Sequence, residues 1–572
     1  MTSHEDLVYL FQGYSINPSA DVLEKCVSLC LTYNIDAEEL VDQWVAYTQS
    51  NLKSAAPTVE LLERMERKEY QKGKDQTKIV REQSQYVASP DQSTNVSDFP
   101  ATPKANRVPT SRIQTPIQSR RLVDDPEAVT SPGAPIGSYS KRTNARSVQC
   151  SYGRKDASYK GSEVPVDVKP YSENCLKADQ RFMYEIIGKR GKSLSNMAQA
   201  LFPSIRNRYQ LHALDENKKN EDEQQNLYEG RIISDYDTKI NVQSVQLEQT
   251  HTHQGRTFQL NLSKVKKMSL FPGQVVIVKG KPFRQYSDSK TEIVVEEIYA
   301  GTVFKFSDEF PVTKDPLQIV VACGPFTIQD TLLFEPLSDL LIYVKEYKPH
   351  VLILTGPFYE RNNQGIHNGD LRQQFDAFFM DLVDTVMTAL AETGVKVVIA
   401  SSQREPHHFP VYPTPPYEIR GKYENLLLVP DPCLVEINGL VVGVNTPDVL
   451  FHLSSFEIYL DNKPNAPISD RMGRLASHLL EQRSFYPLDP PNPEVCIDMP
   501  LMEKHGIMDV KPHILILPSN LKHFIKEIQG CLVVNPERLT KGYGGGTFAR
   551  IEVAPGGTMT VCGRTSCQIL RI

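Results

Sequence analysis

Residues 351–360 read VLILTGPFYE, and no other stretch constrains the fold as strongly. Residues 351–354 form an unbroken apolar run, the pattern of a strand buried on both faces, as in a sheet covered by helices. A sharp loop follows: Gly356-Pro357-Phe358-Tyr359-Glu360. In open α/β sheets, chemistry sits on the loops at the carboxyl ends of such strands. This loop stands where a catalytic motif belongs, yet it carries almost no residue types suited to catalysis.

Similar apolar cores recur at 318–322, 395–399, 440–444 and 514–517, with helical patterns over 371–390 and 471–480 between them. Residues 311–572 therefore read as a layered α/β domain, closed by terminal strands at 547–553 and 558–570. The expected strand ends carry Cys323-Gly324-Pro325-Phe326, the Gly356 loop, Ser401-Ser402-Gln403-Arg404-Glu405, Asn445-Thr446-Pro447-Asp448 and Pro518-Ser519-Asn520-Leu521-Lys522. A two-metal hydrolase needs several carboxylates and imidazoles there, holding two cations about 3.5–4 Å apart. The five loops offer only Glu360, Glu405 and Asp448, with His407 and His408 just downstream. These are too few and lack paired spacing, so no catalytic residue, metal ligand or cofactor site is expected.

Other motifs give no stronger signal. Gly542-Tyr543-Gly544-Gly545-Gly546 lacks the Lys-Ser/Thr and the helix of a phosphate-binding loop, and a strand-like run follows it. Ser401 and Ser402 lack a Gly-x-Ser-x-Gly elbow. The ten cysteines include no CxxC pair, which excludes zinc-ribbon and thioredoxin chemistry. Scattered cysteines fit a reducing compartment. Residues 1–20 show no basic start with an apolar core, and no apolar run approaches the roughly 20 residues of a membrane span. The expectation is a soluble intracellular chain.

A chain of 572 residues exceeds what one core organises, so several domains are expected. Residues 1–75 read as a small all-α bundle suited to docking. Asn17-Pro18 starts one helix with Val22, Leu23, Cys26, Val27 and Cys30 on one stripe. Asp36 and Glu39 resemble a capping box before Leu40, Val41, Trp44 and Val45, and Pro57-Thr58 starts a helix through Leu61, Leu62 and Met65. Residues 76–160 are poor in large apolar side chains and read as a disordered linker. It holds four Ser/Thr-Pro steps, at Ser89, Thr102, Thr115 and Ser131, which suit proline-directed kinases.

Residues 161–310 read as a lead-in, with a helix over 178–187, and then five short strands at 228–233, 242–247, 256–262, 274–279 and 292–299. That number of strands suits an OB-type barrel. Lys264, Lys266, Lys267, Lys279, Lys281, Phe283 and Arg284 are its candidates for contact with single-stranded nucleic acid. The net charge of −6 provides no global basic field, and the aromatics do not alternate onto one face with the charges, so a protein-contact role is the better reading.

The order of strands and loops in 311–572 resembles the calcineurin-like metallophosphoesterase fold, whose motifs run DxH, GDxxD, GNH(D/E), a lone His and GHxH. Against that pattern Cys323–Phe326 offers neither Asp nor His, Pro357 replaces the first Asp of GDxxD, and Glu360 replaces the second. The remaining loops read Ser401-Ser402-Gln403-Arg404-Glu405 and Pro518-Ser519-Asn520-Leu521. Helical domain, linker, OB barrel and inactivated phosphoesterase, in that order, resemble the accessory B subunits of eukaryotic replicative DNA polymerases, in particular those of DNA polymerase alpha–primase. The segments VVACGPF (320–326), ILTGPF (353–358), HHFPVYPTPP (407–416), QRSFYPLDPP (482–491) and KGYGGGTF (541–548) carry the likeness.

The resemblance implies a nuclear, non-catalytic scaffold whose barrel and phosphoesterase-like domains pack together. It implies that they hold the zinc-bearing C-terminal domain of the catalytic subunit in a complex with primase subunits. The N-terminal domain would tether other replisome proteins. Two rival readings are a divergent active metallophosphoesterase and a single-strand-binding OB protein.

Overall fold

The computed structural model describes residues 139–572 apart from 173–174, 185, 212–226, 235–239, 251–255, 284–291, 309 and 462–469, together with residues 7–8, 10–11, 18–33, 35–37, 40–41, 43–44, 47 and 57–66. The described residues fall into two compact units, the first drawn from those up to residue 66 and the second from residue 139 onward. Most of the expected linker lies outside the described residues, with Ser89, Thr102, Thr115 and Ser131 in it, as do Asn17 and Glu39.

In the N-terminal unit, helix Ala20–Tyr33 buries Val22, Leu23, Cys26 and Cys30 of the expected stripe, while Val27 is half-buried and Leu29, which the stripe did not include, is buried. Helix Val59–Met65 is capped by Thr58, whose side chain accepts from the Leu61 N–H. An ion pair, Lys25–Glu66 at 2.8 Å, joins the two helices. Trp44, Leu62 and Met65 are fully buried.

The linker ends earlier than residue 160. Residues 139–160 are part of the second unit: Tyr139 donates to Asp339, Arg142 Nε donates to the Ile572 carbonyl at 2.9 Å, and Val148–Tyr152 is an edge strand on the C-terminal strand Thr565–Arg571. An edge strand with largely exposed, polar side chains carries no apolar pattern, which is why composition assigns it to the linker.

The helix expected at 178–187 is displaced. Residues 178–184 are turns and irregular chain, and the helix is Ile187–Tyr209, with Pro203 inside it. Gly188, Gly191 and Pro203 lower its intrinsic propensity. Burial of Ala198, Leu201, Phe202 and Ile205 against Val275 and Ile277 of the barrel overrides that penalty.

The barrel is closed in the order Leu227–Ile233, Gln246–Gln249, Thr257–Asn261, Glu292–Ala300, Val275–Phe283. One pair, Thr257–Asn261 with Glu292–Ala300, is parallel. Alternate residues Val276, Val278, Ile293 and Val295 fill its interior with Ile232, Leu247 and Leu260. A further strand, Lys267–Leu270, leaves the barrel and pairs with Ile458–Asp461 of the α/β region. At this seam buried Glu457 accepts from Arg474 Nε at 2.8 Å, from Ser269, and lies 3.0 Å from His478 Nε2. Gln482 completes the seam by bonding both the N–H and the carbonyl of Val275. Buried polar groups that are paired across a seam in this way fix its register.

The α/β region is four layers deep. A seven-stranded sheet runs Val148–Tyr152, Thr565–Arg571, Thr547–Val553, Leu317–Cys323, Val351–Thr355, Lys396–Ala400, Leu426–Val429, and its last four strands are mutually parallel. A six-stranded sheet runs Phe524–Ile528, Cys531–Asn535, Ile514–Ile516, Leu440–Val444, Cys433–Ile437, Val168–Pro170. The sheets meet face to face through Ile319, Val321, Ile353 and Val398 against Val435, Val442, Ile514 and Val534. The outer face of the first sheet, Val320, Leu352 and Leu354, packs on helices Glu335–Tyr347 and Phe375–Leu390. Leu515 and Val533 of the second pack on helices Val449–Phe456 and Arg471–Glu481. Strands covered on both sides explain the unbroken apolar runs. The expected terminal strand at 558–570 is instead a helical turn, Val561–Arg564, followed by Thr565–Arg571.

Candidate functional site

The carboxyl ends of the parallel strands converge, and their loops lock onto one another. Gly324 N–H donates to the Thr355 carbonyl at 2.8 Å, Phe326 N–H to the Phe358 carbonyl at 2.9 Å, and Gly356 N–H to the Ala400 carbonyl at 3.0 Å. The first two loops approach so closely that a Cβ at Gly324 would lie 1.7 Å from the Pro357 carbonyl oxygen. Phe326 stacks on Phe358 at 4.8 Å and Phe358 meets Phe379 edge-on at 5.3 Å, so aromatic rings fill the space beneath the loops.

Each sequence candidate is engaged by the protein itself. Glu360 is ion-paired with Arg404. Glu405 is fully buried, and its Oε2 accepts from Phe358 N–H at 2.7 Å and Tyr417 O–H at 3.0 Å. Burial pushes its carboxyl up to about 8. Asp448 caps helix Val449–Phe456 and accepts from Ser519 Oγ at 2.5 Å and Asn520 N–H at 2.7 Å, stapling the fourth loop to the fifth. His407 packs 4.5 Å from the Phe379 ring, and burial with the neighbouring His408 lowers it to about 4. His408 Nε2 donates to the Pro415 carbonyl at 2.7 Å. Ser401 donates to the Thr414 carbonyl, and Ser402 N–H donates to the Tyr417 hydroxyl. Burial pushes the Cys323 thiol up to about 11, far from a thiolate nucleophile at neutral pH. Among the described residues no group of three or more His, Cys, Asp or Glu side chains is placed to hold a metal ion.

Two residues at this site escape sequence reasoning. Asp431 is fully buried, accepts from Thr446 N–H at 2.8 Å and from the Thr446 hydroxyl, and is pushed up to about 7 by burial. Arg538 is only 2 % exposed. Its guanidinium reaches the Gly324 carbonyl of the first loop at 3.4 Å and the Thr446 carbonyl of the fourth at 3.5 Å. Burial lowers its pKa, as does Arg404, while Asp448, Cys323 and Glu360 oppose that shift. A fixed organic cation thus sits among the strand-end loops. The signal that would have found it is Asn535-Pro536-Glu537-Arg538, a sixth loop directly after the apolar strand Cys531–Asn535.

The remaining candidates do not form a site. Thr540–Lys541 and Gly544–Gly545 pair as a tight hairpin, so the glycine-rich run is a structural turn. Of the barrel candidates, Lys267 is paired with Asp461 and Lys279 with Glu297, Lys264 and Lys266 are exposed, and Lys281 and Phe283 lie at the exposed end of their strand. Arg284 lies outside the described residues.

Comparison with known proteins follows the same division of the chain. Residues 5–72 match the N-terminal family of the DNA polymerase alpha B subunit. Residues 192–301 match the OB-domain family of the DNA polymerase alpha B subunit, and residues 319–526 match the B-subunit family shared by DNA polymerases alpha and epsilon. The DNA polymerase alpha B subunit of Drosophila melanogaster is 32% identical, with 99% of this chain and 100% of the relative covered. That of Mus musculus is 30% identical over 96% and 95%, and that of Saccharomyces cerevisiae is 25% identical over 73% and 67%. With near-complete coverage of both chains at such identity, this chain belongs to the B-subunit family of DNA polymerase alpha.

Proposed function

We propose that this chain serves the DNA polymerase alpha–primase complex in the nucleus as a non-catalytic scaffold. In this reading residues 311–572 are a calcineurin-like phosphoesterase domain that has lost its metal ligands. The four-layer order and the position of the loops at the strand ends support the fold assignment. The observation that carries the functional reading is Arg538: a buried guanidinium bonded to two of the strand-end loops puts a fixed cation of the chain's own among the loops where a two-metal hydrolase would need its ligands. The acidic candidates are engaged in ion pairing, capping and buried hydrogen bonds.

The strand pairing and buried hydrogen bonds that join barrel and α/β region suit them to hold, together, the zinc-bearing C-terminal domain of the catalytic subunit, with the primase subunits alongside. The N-terminal helices act as the tether to other replisome proteins, and phosphorylation at Ser89, Thr102, Thr115 or Ser131 adjusts the charge of the connection. Direct contact with nucleic acid is weak or absent. No described helix is long and apolar enough to cross a membrane. Metal analysis of the purified chain, with a nitrophenyl phosphate assay, tests the reading. Stoichiometric transition metal and turnover that disappears in Glu360→Ala would overturn it.

A further inference from the structure

Between the edge strand Val148–Tyr152 and buried Tyr159, residues 153–158 belong to no helix or strand and, apart from half-buried Ala157, are exposed. They read Gly153-Arg154-Lys155-Asp156-Ala157-Ser158. Arg154 and Lys155 stand four and three residues ahead of the Ser158 hydroxyl, with the Asp156 carboxylate 3.8 Å from Arg154 between them. Protein kinases that select basic substrates hold such side chains with carboxylates of their own groove. An exposed, irregular segment enters such a groove without breaking a helix or a strand ladder. A similar spacing occurs at Lys189-Arg190-Gly191-Lys192-Ser193, but Ser193 is only 5% exposed inside helix Ile187–Tyr209. The fold withholds that hydroxyl and offers the one on Ser158.

Ser158 also stands beside a clamp. Glu552, buried on strand Thr547–Val553, accepts from Tyr159 N–H at 3.0 Å, Arg154 Nη2 at 3.2 Å, Ser158 Oγ at 3.4 Å and Gln318 Nε2 at 3.4 Å. The Arg550 guanidinium lies over the Tyr159 ring at 4.2 Å, and Gly161 N–H donates to the Tyr347 carbonyl at 2.9 Å. These contacts fasten the chain that follows the edge strand to the seven-stranded sheet.

We infer that Ser158 is a phosphorylation site for a kinase that reads basic residues upstream of its target, and that the phosphate releases the Glu552 clamp. In the step, Ser158 Oγ forms a bond to the γ-phosphorus of ATP. The bond from that phosphorus to the bridging oxygen breaks, ADP leaves, and the hydroxyl proton passes to the base of the kinase. The product places about two negative charges beside the buried Glu552 carboxylate and competes with it for Arg154. Repulsion and the loss of a cationic partner both favour the undocked segment. The inference is independent of the scaffold reading.

The test incubates the full chain with ATP and, in separate reactions, the catalytic subunit of cyclic-AMP-dependent kinase and a calcium/calmodulin-dependent kinase. A peptide of residues 150–162 serves as the unfolded reference. Tandem mass spectrometry locates the phosphate, and hydrogen exchange follows residues 148–161. Phosphate at Ser158 is expected in chain and peptide, with Lys155→Gln slowing its addition by about tenfold or more. Amide exchange across 148–161 then quickens by about tenfold or more, as for lost hydrogen bonds to a charged group. Ser158→Ala takes no phosphate at that position and melts with the wild type, since it gives up one long hydrogen bond.

A peptide that accepts phosphate while the full chain does not overturns the exposure argument, and with it the inference. So does failure of both to accept it, or phosphate on Ser193 in place of Ser158. Phosphate at Ser158 with unchanged exchange overturns the release of the clamp.

Discussion

Replacing Arg538 by methionine removes the fixed cation at the strand ends while keeping an unbranched, packable stem. Two hydrogen bonds from the guanidinium are lost, to the Gly324 and Thr446 carbonyls at 3.4 and 3.5 Å. Bonds to a charged group contribute about 1.5–3 kcal/mol each, and these long ones fall at the lower end, so together they contribute about 3 kcal/mol. The expected destabilisation is therefore about 3 kcal/mol.

For a domain of 150–250 residues each kcal/mol moves the thermal midpoint by about 2–4 °C, and a larger unit moves less, so a fall of about 4 °C or more is expected. Differential scanning calorimetry of the full chain measures it, with and without a chelator. The chelator leaves the wild type unchanged, because an internal guanidinium needs no metal. A variant as stable as the wild type, or a wild type that loses stability in chelator, refutes the reasoning.

Glu405 ties stability to pH. Its folded carboxyl is raised from 4.5 to about 8, so its stabilising effect is complete below pH 4.5 and is lost as pH rises through 8. Glu405→Gln should therefore match the wild type near pH 5 and melt higher than it near pH 8, as thermal scans across that range would show. Glu360→Ala breaks only a half-exposed pair with Arg404, so its unfolding free energy should stay within about 1 kcal/mol of the wild type in denaturant titration. Gly324→Ala places a Cβ 1.7 Å from the Pro357 carbonyl oxygen, so backbone must shift; a loss of about 3 kcal/mol is expected in the same titration.

The chain announces its doubly covered strands clearly, since residues 319–323 and 351–354 are unbroken apolar runs buried at every position. It does not announce that the strands divide into two facing sheets. An apolar run buried between a sheet and a helix looks the same as one buried between two sheets. The barrel is legible in its five strands, while their ends shift by a few residues because turn residues, not periodicity, set them. Helix Ile187–Tyr209 is obscured by Pro203 and two glycines, and its stability comes from the barrel wall it covers.

At the site, Pro357 and the Ser401–Glu405 loop carry the expectation that metal ligands are lacking. The buried guanidinium among these loops is not legible in the same way. Arg538 arrives from a strand of the second sheet, and only the fold brings it within reach of Gly324 and Thr446.

In the proposed function a phosphoesterase-like fold is kept for the partner it holds. Size-exclusion chromatography with light scattering, on this chain mixed with the polymerase catalytic subunit, tests it most directly. A one-to-one complex that disappears when the catalytic subunit lacks its C-terminal domain is the predicted result. Separate elution of the two intact proteins, or a complex indifferent to that deletion, would contradict it.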